Sequence, residues 1–158
     1  MRKILFVTMA MLCLIGAQAQ TKSGAIKVDV GALAFGFAQA SYEMPFSEKT
    51  SGQLALGLVP DGFGVTPEFR IYSKEAIKGF NFGPVASYAS VSSGGVSASA
   101  FGVGGKFGWN WFLGSSENVV IDLGLGAMYY SASGSGSGTS ITLNGVLPVV
   151  NLAVGYAF

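Results

Sequence analysis

The C-terminal stretch Val150-Asn151-Leu152-Ala153-Val154-Gly155-Tyr156-Ala157-Phe158 decides the fold. Val150, Leu152, Val154, Tyr156 and Phe158 are large and apolar, whereas Asn151, Ala153, Gly155 and Ala157 are small or polar. Strict period two marks a β-strand with two unlike faces. The bulky face suits lipid, and the small face suits the lumen side of a narrow barrel.

The same division recurs upstream. Val119, Ile121, Leu123, Leu125 and Tyr129 oppose Asp122, Gly124 and Gly126; Phe101, Val103, Phe107, Trp109 and Trp111 oppose Gly102, Gly104, Lys106, Gly108 and Asn110. Phe80, Phe82, Pro84, Ala86 and Tyr88 oppose Asn81, Gly83 and Ser87; Val65, Pro67, Phe69 and Ile71 oppose Thr66, Glu68 and Arg70. Leu54, Leu56 and Leu58 oppose Gln53, Ala55 and Gly57; Tyr42, Met44 and Phe46 oppose Gln39, Ser41 and Glu43. Ile26, Val28 and Val30 oppose Lys27, Asp29 and Gly31. The pattern predicts an all-β, antiparallel up-and-down transmembrane β-barrel of eight strands. Ten would crowd the chain, because a membrane strand takes about 9–11 residues.

Tight polar connections are expected at Ser47 to Thr50, Lys74 to Lys78 and Ser115 to Asn118. Gly- and Ser-rich surface loops are expected near Gly36, near Asp61-Gly62, at Ser92 to Ser97 and at Ser133 to Asn144. Closure follows from backbone chemistry, since an open sheet edge in lipid leaves N–H and C=O groups unpaired. Aromatics fall where an interface belt would hold them: Phe46, Tyr72, Phe80, Trp109, Trp111 and Phe158 toward one rim, Phe37, Phe63, Tyr88, Phe101 and Tyr129 toward the other. Pro67 and Pro84 suggest bulges or strand starts. A soluble lipocalin-like barrel is the weaker reading, because its outer face would carry Lys, Glu and Thr.

The N-terminus reads as an export signal. Arg2 and Lys3 precede the apolar run Ile4 to Gly16, and Ala17-Gln18-Ala19 makes an A-x-A cleavage site. Domain limits are therefore 1–19 for the signal peptide and 20–158 for the barrel, and Cys13 leaves with the signal. The chain has 9 basic and 8 acidic residues; losing Arg2 and Lys3 leaves 7 against 8, a net charge of −1. That balance argues against nucleic acid as a partner.

The run Gly62-Phe63-Gly64-Val65-Thr66-Pro67-Glu68-Phe69-Arg70-Ile71-Tyr72, then Gly79-Phe80-Asn81-Phe82-Gly83-Pro84, then the ending Val154-Gly155-Tyr156-Ala157-Phe158, carries a resemblance over essentially the whole mature chain. It resembles a family of small outer-membrane β-barrels of unknown function, frequent in Bacteroidetes-type bacteria. The resemblance implies location in the outer membrane, in contact with its lipid, and the same porin-like or OmpA-like fold. In the wider class the aromatic ending, here Val154, Tyr156 and Phe158, is the signal read by the barrel-assembly machinery. The family brings no catalytic or binding residues to carry over.

One chemical constellation remains. By parity Lys27, Asp29, Glu43, Glu68, Arg70, Lys106 and Asp122 face inward, and a buried charge costs several kcal/mol unless paired. A salt-bridge network across the lumen is expected, with Arg70 as its hub because its planar fork takes two carboxylates at once. An ion or proton path is the weaker reading, since an eight-stranded interior is just filled by side chains. Enzymatic roles fare poorly. The chain has no His, so Ser/His/Asp chemistry fails. The segments Gly102-Val103-Gly104-Gly105 and Gly124-Leu125-Gly126 lie in strands with no helix to complete a phosphate loop. No catalytic residue, cofactor or metal is expected. The expected function is a structural envelope protein with a plugged lumen; the alternatives are a surface interaction module binding an unknown partner through its Gly/Ser loops, or a narrow small-solute conduit.

Overall fold

A computed structural model of the chain describes residues 22–34, 36–59, 61–136 and 139–158. The signal peptide expected at 1–19, with Cys13, lies outside these residues. Eight strands run β1 (Ala25–Asp29), β2 (Ala38–Ser47), β3 (Thr50–Val59), β4 (Gly62–Tyr72), β5 (Gly79–Ser93), β6 (Val96–Leu113), β7 (Val119–Gly136) and β8 (Thr139–Ala157). Each pairs antiparallel with its sequence neighbours, and β1 pairs with β8, so the sheet closes into a ring in simple up-and-down order. The alternation explains this directly: only a closed sheet gives every strand one inner and one outer face while leaving no edge.

Three expectations need correction. The first strand ends at Asp29, and Val30–Ala34 forms a short helix, α1. Asp29 Oδ1 accepts the Ala32 N–H at 2.9 Å, an N-cap arrangement that turns the chain out of the strand. The expected loops shrink: Ser92 to Ser97 holds only the two-residue turn Gly94-Gly95, and strands take up much of Ser133 to Asn144, so β5 through β8 run for 15, 18, 18 and 19 residues. Backbone pairing is indifferent to Ser and Gly side chains there, and facing serines such as Ser92 and Ser97 bond at 2.6 Å. Pro67 and Pro84 mark no bulge: the β4–β5 register is the same on both sides of them. Both fall in the stretch of that seam where Thr66, Pro67, Phe69 and Arg70 lack a paired partner, as expected of residues with no N–H to donate.

The two ends differ. The lower end holds the β2–β3, β4–β5 and β6–β7 turns, the start of β1 and the end of β8. There Ala25, Ile77, Val120 and Ala157 form a buried apolar cluster, with Ala76 and Phe112 against it. Ile77, from the β4–β5 connection, is fully buried with a left-handed φ of 71°. That conformation is uncommon for a β-branched residue, and Asn110 Nδ2 holds it by donating to the Ile77 carbonyl at 2.8 Å. Around the ring the outer wall is apolar: Leu54, Leu56, Leu58, Val103, Phe107, Trp109, Leu152 and Val154 all point outward and are exposed.

Candidate functional site: a buried ionic network

All seven inward-pointing charges named from parity are buried, and six of them meet. Strand period places each one: Lys27 on β1, Glu43 on β2, Glu68 and Arg70 on β4, Lys106 on β6 and Asp122 on β7 share the inner face. Lys27 Nζ contacts Glu43 Oε2 at 2.5 Å, Gln53 Oε1 at 3.0 Å and Asp122 Oδ2 at 2.6 Å. An ammonium has three protons, and all three are used.

Arg70 engages three carboxylates rather than two. Its Nε and Nη2 grip Glu68 at 2.8 and 3.2 Å, while Nη1 donates to Asp122 at 2.7 Å and Glu43 at 3.3 Å. The fork on Glu68 is the bidentate geometry that only a guanidinium offers. Lys106 completes the set at 2.8 Å from Glu68 Oε2. Glu43 is the most heavily used acceptor: Oε2 takes Lys27 and Arg70, and Oε1 takes Ser51 Oγ and Tyr72 Oη, each at 2.5 Å. Asp122 works through Oδ2 alone; its buried Oδ1 finds no protein donor among the described residues.

Asp29 is the exception to the expected network. It is buried, but no cation lies within salt-bridge distance of it among the described residues, and its carboxylate caps α1 instead. Tyr72 corrects the aromatic belt. It lies on the inner face with Glu68 and Arg70 and is 2% exposed, because β4 turns even-numbered residues inward. Parity already contained that answer. Ser51, which joins the network from β3, shares its parity with Gln53 and was legible in the same way. The burial of Ile77 carried no sequence signal, because it comes from a turn.

β5 and β8 supply no charge to the network; they supply space. Gly155 on β8 faces Lys27, and Gly83 on β5 and Gly126 on β7 flank Lys106. A Cβ on Gly126 would meet Lys106 Cγ at 2.6 Å, and one on Gly155 would meet Lys27 Cγ at 2.7 Å. In both cases the nearest obstacle is backbone, the Gly105 and Ile26 carbonyls, so the strands approach closely there with the lysine stem alongside.

The three cations and three carboxylates tie β1, β2, β4, β6 and β7 across the lumen, with Gln53 and Ser51 adding β3. Such an arrangement fills and cross-braces. Its carboxylates are occupied by cations. Of the expected assembly residues, Val154 and Tyr156 are exposed on the outer face, and the Phe158 ring stacks on Tyr42 at 6.5 Å. No protein-family model, curated protein or solved structure matches the chain.

Proposed function

We propose that this chain is an exported, non-enzymatic integral protein of the bacterial outer membrane, with a plugged lumen and a structural role in the envelope. The observation that carries the reading is an inverted barrel: leucines and tryptophans cover the outside, and the charges are buried inside. In water that outer face would be an apolar patch far beyond what monomeric proteins expose. In a bilayer it is ordinary solvent contact. The paired aromatics Phe80–Trp109 and Trp109–Trp111, with centroids 6.1 and 6.3 Å apart, suit a headgroup belt at the lower rim. The resemblance to small Bacteroidetes-type outer-membrane barrels supports the same reading, and with it a role for Val154, Tyr156 and Phe158 in recognition by the assembly machinery. Plugging is supported by the ion pairs across the middle and by Ile77 across the lower mouth.

The test is reconstitution into bilayers whose acyl chains carry bromine, with gel mobility before and after boiling as the folding control. Trp109 and Trp111 are the only tryptophans, and their fluorescence should be quenched by the brominated lipid. Planar-bilayer recordings should stay silent. Unquenched tryptophans would refute membrane insertion. Reproducible conductance steps that vanish with a bulky residue at Gly104 would make the protein a channel.

One observation favours a second reading, a surface module that binds a partner. β5 to β8 rise well above β1 to β4, presenting a Ser-rich sheet beyond the ring. Shortening the β5–β6 and β7–β8 hairpins should leave a structural role intact and abolish a partner-binding one.

A further inference from the structure

The lumen is filled below and hollow above. Between the network and the upper rim lies a cavity of about 660 Å³, opposite the end that Ile77 closes. Ligand sites span roughly 300–1,000 Å³ and are largely apolar with a few placed polar groups. This one fits that description: Val59, Ala89 and Val91, inward by strand parity, are among its apolar lining, and Gln39, Thr66, Ser87 and Tyr130 supply its polar groups. No carboxylate, amine or guanidinium lines it. The six charges of the ionic network are not among its lining residues.

Two kinds of lumenal glycine explain why the cavity exists. Gly126 and Gly155 are sterically obliged, because a Cβ on either would run into a neighbouring backbone carbonyl. Gly57 and Gly64, paired side by side on β3 and β4, are not. A Cβ on Gly57 would meet nothing nearer than Gln39 Oε1 at 3.6 Å, and one on Gly64 nothing nearer than Tyr88 O at 3.6 Å. These are ordinary contacts, and neither residue has a left-handed backbone. Packing alone would accept larger residues there, and an interior this narrow is normally filled by side chains. The polar groups around the hollow are also underused. Among the described residues the Gln39, Thr66 and Ser87 side chains bond to no protein group, and Tyr130 Oη donates only to Met128 Sδ at 3.4 Å, a weak acceptor.

We propose that this upper cavity is a binding site for a neutral, mostly apolar small molecule carrying one or two hydrogen-bonding groups. The apolar lining takes its body, and the amide and hydroxyls of Gln39, Thr66, Ser87 and Tyr130 orient its polar end. A charged ligand is disfavoured because the site offers no counter-charge. The proposal does not depend on the structural role given above and goes beyond it.

The probe is 4-fluorobenzyl alcohol, followed by its fluorine transverse relaxation in the presence of the full refolded chain in detergent, with protein-free micelles as baseline. The wild-type protein should raise the relaxation rate above that baseline. Gly64→Leu and Gly57→Leu, which fill the cavity, should each abolish the increase while the heat-modifiable folded band is retained. Gly105→Leu, on the outer face with only Gly83 O at 3.8 Å from its Cβ, should leave the increase unchanged. The charged analogue 4-fluorobenzoate should stay at baseline with wild-type protein, a comparison that needs no variant. The site is refuted if wild-type protein leaves the alcohol at baseline, if the cavity-filling variants still bind it, or if Gly105→Leu removes binding. Equal relaxation of the carboxylate would overturn the assignment to neutral ligands.

Discussion

Replacing Arg70 with alanine should lower the stability of the folded barrel by about 3–5 kcal/mol, the usual cost of removing one partner from a buried charge cluster. The geometry shows why. The network balances Lys27, Arg70 and Lys106 against Glu43, Glu68 and Asp122, three against three. Without Arg70 the balance is two against three, a buried excess of one negative charge. Glu68 keeps Lys106, but Glu43 and Asp122 must share the single ammonium of Lys27, which already has all its protons engaged. Leu56→Ala is the matched control. Leu56 points outward and is 55% exposed, and lipid or detergent chains are as apolar as leucine. Its truncation should change stability by no more than about 0.5 kcal/mol. Urea titration of the refolded protein, read by Trp109 and Trp111 fluorescence and by gel mobility, measures both. Adding Asp122→Asn to Arg70→Ala restores two cations against two carboxylates and should recover part of the loss, a non-additivity expected only of groups in contact. Equal destabilisation by Arg70→Ala and Leu56→Ala would refute the assignment of inner and outer faces.

Other substitutions test the lower lumen. Gly155→Ala and Gly126→Ala place a methyl against Lys27 and Lys106, and each should cost about 1–3 kcal/mol in the same titration. Gly105→Ala, facing outward, should cost far less. Ile77→Ala removes the apolar plug from among Ala25, Val120 and Ala157 and should cost about 2–4 kcal/mol. Because the ionic network lies behind that plug, Ile77→Ala should still give no steps in planar-bilayer recordings. Conductance in that variant would show that Ile77 alone closes the pore.

Much of this was legible in the sequence because period two is a strong constraint. Once Phe158 and Tyr156 are set on one face, the register of every hairpin follows, and Lys27, Glu43, Glu68, Arg70, Lys106 and Asp122 fall inward together. The misreadings arose where side-chain chemistry and backbone geometry part company. Serines and glycines at 92–97 and 133–144 look like loop residues, yet apart from the Gly94-Gly95 turn the ladder runs through the described part of both segments because it needs only N–H and C=O groups. Val30 continues the alternation of β1, but Asp29 intercepts a backbone donor and starts α1. Tyr72 was placed in the belt for its chemistry although its position put it inside. Ile77 shows the opposite limit: a turn residue has no period, so its burial depends on how the β4–β5 connection folds back under the barrel.

The short first strand has a kinetic consequence. Seven of the eight strand junctions join sequence neighbours, whereas β1–β8 must bring together residues as far apart as Ala25 and Ala157. Closing so long a loop carries the largest chain-entropy cost and is rewarded last. That junction has only five paired positions, against eighteen between β7 and β8. By sequence separation it is the last to zip, and with only four paired positions to β2 on its other side β1 is the strand most readily lost. Lys27 sits on this strand and reaches past β8 to Asp122 on β7 while also holding Glu43 on β2. One ammonium thus bridges the gap from both sides, acting as a latch whose loss would speed unfolding more than it slows folding.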